Sequence, residues 1–129
     1  MKVFDSSALL ALLALIFDEA GAAKVEALLA GDDSVVGAAN LSEVLAKLVD
    51  QGLSDAEIDA VVDGLAIRIE PLSEAQAAAA GRLRRHTRAL GLSLGDRCCL
   101  ALAQACDATV VTADRPWKQL KGFRFEFVR

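Results

Sequence analysis

Four carboxylates in this chain stand where strand-like or helical patterns begin or end. Asp5 follows the β-prone run KVF, Glu43 lies in ANLSEVLAKL, Asp96 in LSLGDRCCLALA, and Asp114 follows TVVTA. Each taken singly has an ordinary structural role. Asp5 can cap beside Ser6 and Ser7, and Glu43 is spaced from Asn40 as in a capping box. Asp96 suits the positive end of a helix dipole, and Asp114 can cap the turn after its strand. Taken together they have a second role. If the first and fourth strands are neighbours, Asp5 and Asp114 meet at one sheet edge, and helices starting there bring Glu43 and Asp96 alongside. Gathered carboxylates raise one another's pKa unless a cation neutralises them. Mg²⁺ suits such a place because it takes one or two carboxylates directly and keeps waters that substrate phosphates replace; Mn²⁺ accepts the same ligands. An ion so held activates water and stabilises charge on phosphoryl oxygens, so the chemistry indicated is phosphodiester hydrolysis.

The elements that must position these acids are short. KVF, SVVGA, IRIEP, TVVTA and FRFEFV are β-prone, and the segments between them carry helical periodicity. Alternation of this kind predicts a parallel sheet covered on both faces by helices. Ser7 is placed to cap a helix through ALLALLALIF, and Gly21 precedes a second, AAKVEALLAG. Asn40 opens LSEVLAKLVDQG, Ser54 opens DAEIDAVVDGL, Ser73 opens EAQAAAAGRLRRHTRALG, and DRCCLALAQAC follows Gly95. The alanine run in AQAAAAG reads as a close helix contact or a dimer face. Residues 1–129 show no repeat and no linker, so a single domain is expected.

Composition narrows the class. Hydrophobic residues make up 54% with no tyrosine, so the interior must be aliphatic. The net charge of -4 argues against a non-specific nucleic-acid coat, but it conceals a division. Residues 1–66 carry three basic and twelve acidic side chains, whereas residues 67–129 carry eleven basic and six acidic. Cys98, Cys99 and Cys106 are an odd set in an apolar helical pattern, which fits small core residues in a reducing cytoplasm. The apolar stretch near the N-terminus imitates a secretory signal, yet Asp5 precedes it and Asp18-Glu19 interrupts the cleavage region. It is also shorter than the roughly 20 residues a bilayer requires, so no membrane association is expected.

VFDSSALLALL, ANLSEVLAKL, LSLGDRCCLALA and VVTADRPW, in this order and spacing, resemble the four motif regions of PIN-domain ribonucleases, in the branch of VapC-type toxins of bacterial toxin–antitoxin pairs. The resemblance implies a three-layer α/β/α domain with a central, mostly parallel five-stranded sheet. It implies a metal-dependent endoribonuclease restrained by a cognate antitoxin and assembled as a homodimer. Asp5, Glu43, Asp96 and Asp114 would surround Mg²⁺ or Mn²⁺, with Ser7, Asn40 and Thr112 as polar supports. Arg97 and Arg115 adjoin the acids and are placed to meet phosphate or to form exposed salt bridges; Trp117 reads as packing. The chain departs from the family pattern in a longer stretch from Asp5 to Glu19, in Ala20 where proline is expected, and in Arg115-Pro116-Trp117 where some relatives carry a further acid. That last departure leaves the number of metals open.

The basic half suggests how RNA would be guided. In GRLRRHTR, Arg82, Arg85 and Arg88 fall at helical spacing on one face, where they would either offset the acids' repulsion of phosphate or merely solubilise the helix. Two rivals to the nuclease are a phosphoacceptor receiver domain, which shares strand-end acids and a Thr-Ala pair, and a binding module that has lost its metal. The receiver needs an acceptor Asp ending a central strand and a strand-end Lys, and SVVGA ends without an acid.

Overall fold

The computed structural model describes residues 1–16 and 33–128. Five strands form one sheet: β1 (Lys2–Phe4), β2 (Ser34–Gly37), β3 (Arg68–Glu70), β4 (Thr109–Thr112) and β5 (Arg124–Phe127). All the pairings are parallel, in the order β3-β2-β1-β4-β5. Each strand falls within the run from which it was expected. The order also removes the receiver alternative, whose sheet runs 2-1-3-4-5. Here β2 lies between β1 and β3, and the direction of winding reverses between β1 and β4. That reversal is where ligands bind in open α/β sheets, outside the carboxyl ends of the strands.

Alternation along the strands builds the three layers. Val3, Val35 and Val110 face one side and pack with α4 (Glu74–Thr87) and α5 (Leu94–Cys106) through Ala80, Leu83, Cys99, Leu100 and Leu102. Phe4, Val36 and Val111 face the other, against α1 (Ser6–Ile16), α2 (Ala38–Asp50) and α3 (Asp55–Gly64) through Leu9, Leu12, Val44, Leu48 and Ile58. A strand covered on both faces must be apolar at consecutive positions, which is why VVG and VVT read as continuous runs. The alanine-rich start of α4 makes a helix contact through Ala79 and Ala80, while Ala75, Ala77 and Ala78 are exposed.

Helix starts differ from expectation at three places, each for a local reason. α1 begins at Ser6 rather than after Ser7, because the Asp5 carboxylate accepts the backbone N–H of Ala8 at 2.7 Å and so caps the helix itself. α2 begins at Ala38 with Gly37 as its cap residue, so Asn40 lies inside the helix and does not open it. Glu43 is then beyond the first turn, and the capping box with Asn40 does not form. α5 begins at Leu94, two residues earlier than expected, with a capping box between Ser93 and Asp96. Ser54 and Ser73 cap α3 and α4 as expected. The helix AAKVEALLAG lies outside the described residues, as do Phe17 of the first helical pattern and Asp18, Glu19 and Ala20. Among the described residues, no helix is long and apolar enough to cross a membrane.

Candidate active site

The carboxyl ends of β1 and β4 adjoin at the winding reversal, with Phe4 opposite Val111. Asp5 therefore follows β1 directly beside Thr112, the last residue of β4. Its side chain is only 2% exposed. The carboxylate is held by three donors: the Thr112 hydroxyl, the Ser7 hydroxyl at 2.8 and 2.9 Å, and the Ala8 N–H. The two hydroxyls are themselves fixed from behind. Ser7 Oγ accepts the N–H of Ala113 at 3.0 Å, and Thr112 Oγ1 accepts that of Asp114 at 3.0 Å. Burial pushes the Asp5 pKa up from its ordinary value; the three hydrogen bonds oppose this, and the charge of Asp96 adds to it.

Glu43 reaches the same end of the sheet from α2. The Ser6 hydroxyl donates to Glu43 Oε1 at 2.6 Å and accepts from Asn40 Nδ2 at 3.2 Å. Asn40, 1% exposed, also donates to the Gly95 carbonyl at 3.1 Å and, more weakly, to Glu43 Oε1 at 3.4 Å. One amide thus joins α1, α2 and α5. Gly95 leaves the room the Glu43 carboxylate occupies: a Cβ at this position would fall on that carboxylate, and the Glu43 side chain would have to shift. Ser6 and Gly95 were not singled out as site residues from the sequence, since neither has a motif of its own. The only hints were a hydroxyl beside Asp5 and a glycine beside Asp96.

Asp96 is half-buried at the start of α5, where its Oδ2 accepts the Ser93 N–H at 2.9 Å. Asp96 thus takes a structural role at the helix start, as a capping-box partner beyond the dipole role expected of it, yet its charge still acts on Asp5. Burial raises the Cys99 thiol pKa well above its usual value, and the charges of Asp5, Asp96 and Glu43 add to that rise. Ser6, next to Asp5, bonds Glu43, and the Glu43 carboxylate lies against Gly95, next to Asp96, so the three acids share one neighbourhood. Asp114 is exposed and enters through its backbone, bonded to Thr112; its side chain makes no cap bond to the 3₁₀ turn Arg115–Gln119. Each of Asp5, Glu43 and Asp96 is committed to hydrogen bonds of its own, and no three acids among the described residues close into a cation-holding group. The donor set is nonetheless all hard oxygen, with one buried carboxylate whose charge is disfavoured, which suits Mg²⁺ or Mn²⁺. The neighbouring Cys98 and Cys99 are buried free thiols, and Cys106 is half-buried.

The basic residues divide. Arg97 donates to the Ala80 carbonyl at 3.1 Å, tying α5 to α4 instead of facing outward in a salt bridge. Arg115 lies over the Phe127 ring, 5.6 Å from its centroid. Arg82, Arg85 and Arg88 are exposed. Trp117 is buried edge-on to Phe125 and serves packing, as expected.

The PIN-domain family model matches residues 2–122 of the chain. Among solved structures, the chain is similar to VapBC-1 from nontypeable Haemophilus influenzae (15% identity, TM-score 0.71, 98% of this chain and 96% of that one). It is similar to the DNA-bound VapBC of Salmonella typhimurium (17% identity, TM-score 0.74, 98% and 96%). It is also similar to VapC20 of Mycobacterium tuberculosis, a sarcin–ricin loop cleaving toxin (17% identity, TM-score 0.73, 95% and 96%). No curated protein matches it by sequence. At these identities the structural likeness speaks to the fold.

Proposed function

The chain belongs to the PIN-domain family, and from that premise we propose that it is a metal-dependent endoribonuclease, the toxin of a toxin–antitoxin pair. The observation that carries this reading is the gathering of Asp5, Glu43 and Asp96 at the winding reversal, where Ser6 beside Asp5 bonds Glu43 and the Glu43 carboxylate lies against Gly95 beside Asp96, with Asp114 attached through Thr112. Asp5, Glu43, Asp96 and Asp114 would hold Mg²⁺ or Mn²⁺. When bound, the ion supplies activation of a water and stabilisation of charge on the phosphodiester oxygens.

The protein's own part is to keep its oxygens in place. Thr112 and Ser7 aim the Asp5 carboxylate, and Ser6, Asn40 and the bare backbone at Gly95 aim that of Glu43. Polar supports of this kind orient ligands and tune their basicity. Some of the similar structures are toxin–antitoxin complexes, which supports a cognate antitoxin as partner of this chain. An antitoxin segment would inhibit by covering the acids or by placing a basic side chain among them. A homodimer acting in the cytoplasm completes the reading.

The test is cleavage of RNA by the purified chain, freed of any antitoxin. Cutting with Mg²⁺ or Mn²⁺ that stops in EDTA is expected; undiminished cutting in excess EDTA would overturn the carboxylate mechanism.

A further inference from the structure

Away from the acids, a cavity of about 520 Å³ opens between the end of α4, the end of α5 and the segment entering β5. His86, Gln104, Gln119 and Lys121 are its exposed polar rim, and Leu83 and Phe123 are its apolar lining. Topology relates it to the acids. The segment 113–123 leaves β4 at their end of the sheet and enters β5 at the other, because Arg124 pairs with Thr109. Arg115, Lys118 and Lys121 therefore mark a course from Asp114 to the cavity.

Charge favours one occupant. Arg82, Arg84, Arg85, Arg88, Lys118 and Lys121 are exposed and form no salt bridge among the described residues. Asp107, near the same end of α5, is neutralised by Arg124 at 3.1 Å. Of these, Lys121 stands on the cavity rim, and the others, on α4, the turn after it and the segment 115–121, add a field that draws phosphate. Exposed arginines without partners are common by themselves. Two amides and the exposed His86 ring beside them are not explained by solubility, however, and Phe123, half-buried against Phe125, gives the cavity an aromatic wall. A glutamine amide both donates and accepts, as a base edge requires, and Phe and His rings are stacking surfaces for unpaired bases.

We propose that this cavity anchors single-stranded RNA, seating one unpaired nucleotide of a strand whose cleaved phosphate lies at the acids. The inference rests on the nuclease reading. The test uses the complete chain and a labelled single-stranded oligoribonucleotide of mixed sequence, in EDTA so that binding is read without cutting. Lys121→Glu should weaken binding and lower the slope of log K against log salt by about 0.7 for the lost phosphate contact. Gln104→Trp fills the cavity without changing charge, and should weaken binding about fivefold or more while leaving that slope unchanged. Lys47→Glu, the same charge change on α2, should bind like the wild type.

If both cavity variants bind as the unaltered chain does, the anchor is wrong and the nuclease reading stands. If Gln104→Trp changes the oligomeric state while RNA binding holds, the cavity is a contact between chains and the proposal falls. If the unaltered chain neither binds nor cuts RNA, the nuclease reading fails and takes this inference with it.

Discussion

The acid end of the sheet and the basic flank of α4 use polar residues in opposite ways. At the acid end, Asp5, Asn40 and Thr112 are buried, and their hydrogen bonds reach α1, α2, α5 and β4. On the flank, Arg82 and Arg85 are exposed and without salt bridges among the described residues. The first arrangement fixes atoms to fractions of an ångström, and the second supplies only a field. Replacing a buried polar side chain at the acid end should therefore disturb chemistry and structure together, whereas a substitution on the flank should change attraction for a polyanion and little else.

The largest effect should come from Asp5→Asn, which is expected to reduce RNA cleavage to background and to destabilise the metal-free chain. Asn offers one acceptor oxygen and turns an N–H₂ toward buried donors, at a cost of about 1–3 kcal/mol that is expected to exceed the relief of carboxylate burial and of repulsion from Asp96. Asp96→Asn should lose cleavage equally but keep its stability, since an amide oxygen still accepts from Ser93. Urea unfolding in EDTA separates the two, and equal destabilisation would remove the distinction between a buried and a capping acid.

Gly95→Ala should follow. The new methyl displaces the Glu43 carboxylate, so cleavage should fall by about 10–100-fold, as for loss of a supporting contact. The melting temperature should hold or rise, because Ala is favoured over Gly within a helix by about 1 kcal/mol. Full activity would show that the Glu43 carboxylate need not stand where Ser6 and Gly95 place it. Next in size, Arg82→Glu with Arg85→Glu should weaken RNA binding and flatten its salt dependence with unfolding unchanged. Retention of the original salt slope would mean that RNA enters elsewhere.

The smallest effects are in pH. Bonds from the Ser54 backbone and hydroxyl lower the Glu57 pKa. Its stabilisation is therefore present at neutral pH and lost as pH falls through the folded value. Asp5 is shifted the other way, so its contribution in the metal-free chain is complete below 3.8 and lost as pH rises through its folded value. Glu57→Gln should flatten the acid limb of the urea midpoint against pH slightly, and Asp5→Asn should steepen it.

Much of this was legible in residue order because the sheet announces itself. Short apolar runs bounded by acids and small residues can be little else, and Asp5, Asp96 and Asp114 stand at their ends or at a helix start, whereas Glu43 lies beyond the first turn of its helix. What was missed depends on contacts distant in sequence or on caps without a side-chain signal. Gly37 begins α2 with no cap bond of its own, so Asn40 read as the cap and Glu43 as its partner. Ser6 acts through a carboxylate 37 positions away, and the closeness of Gly95 to Glu43 exists only once α2 and α5 are packed. The expectation of Mg²⁺ or Mn²⁺ came from the carboxylates themselves, since gathered hard oxygens need a hard divalent cation, and the family resemblance implied the same ions.

The bond between Thr112 and Asp5 spans 107 positions, and it orders events in time. Synthesis delivers Asp5 first, but β1 receives its neighbour β4 only when nearly all the chain has been made. Pairings of such sequence separation form late and slowly. A partly synthesised chain thus carries the first carboxylate without the hydroxyl that aims it.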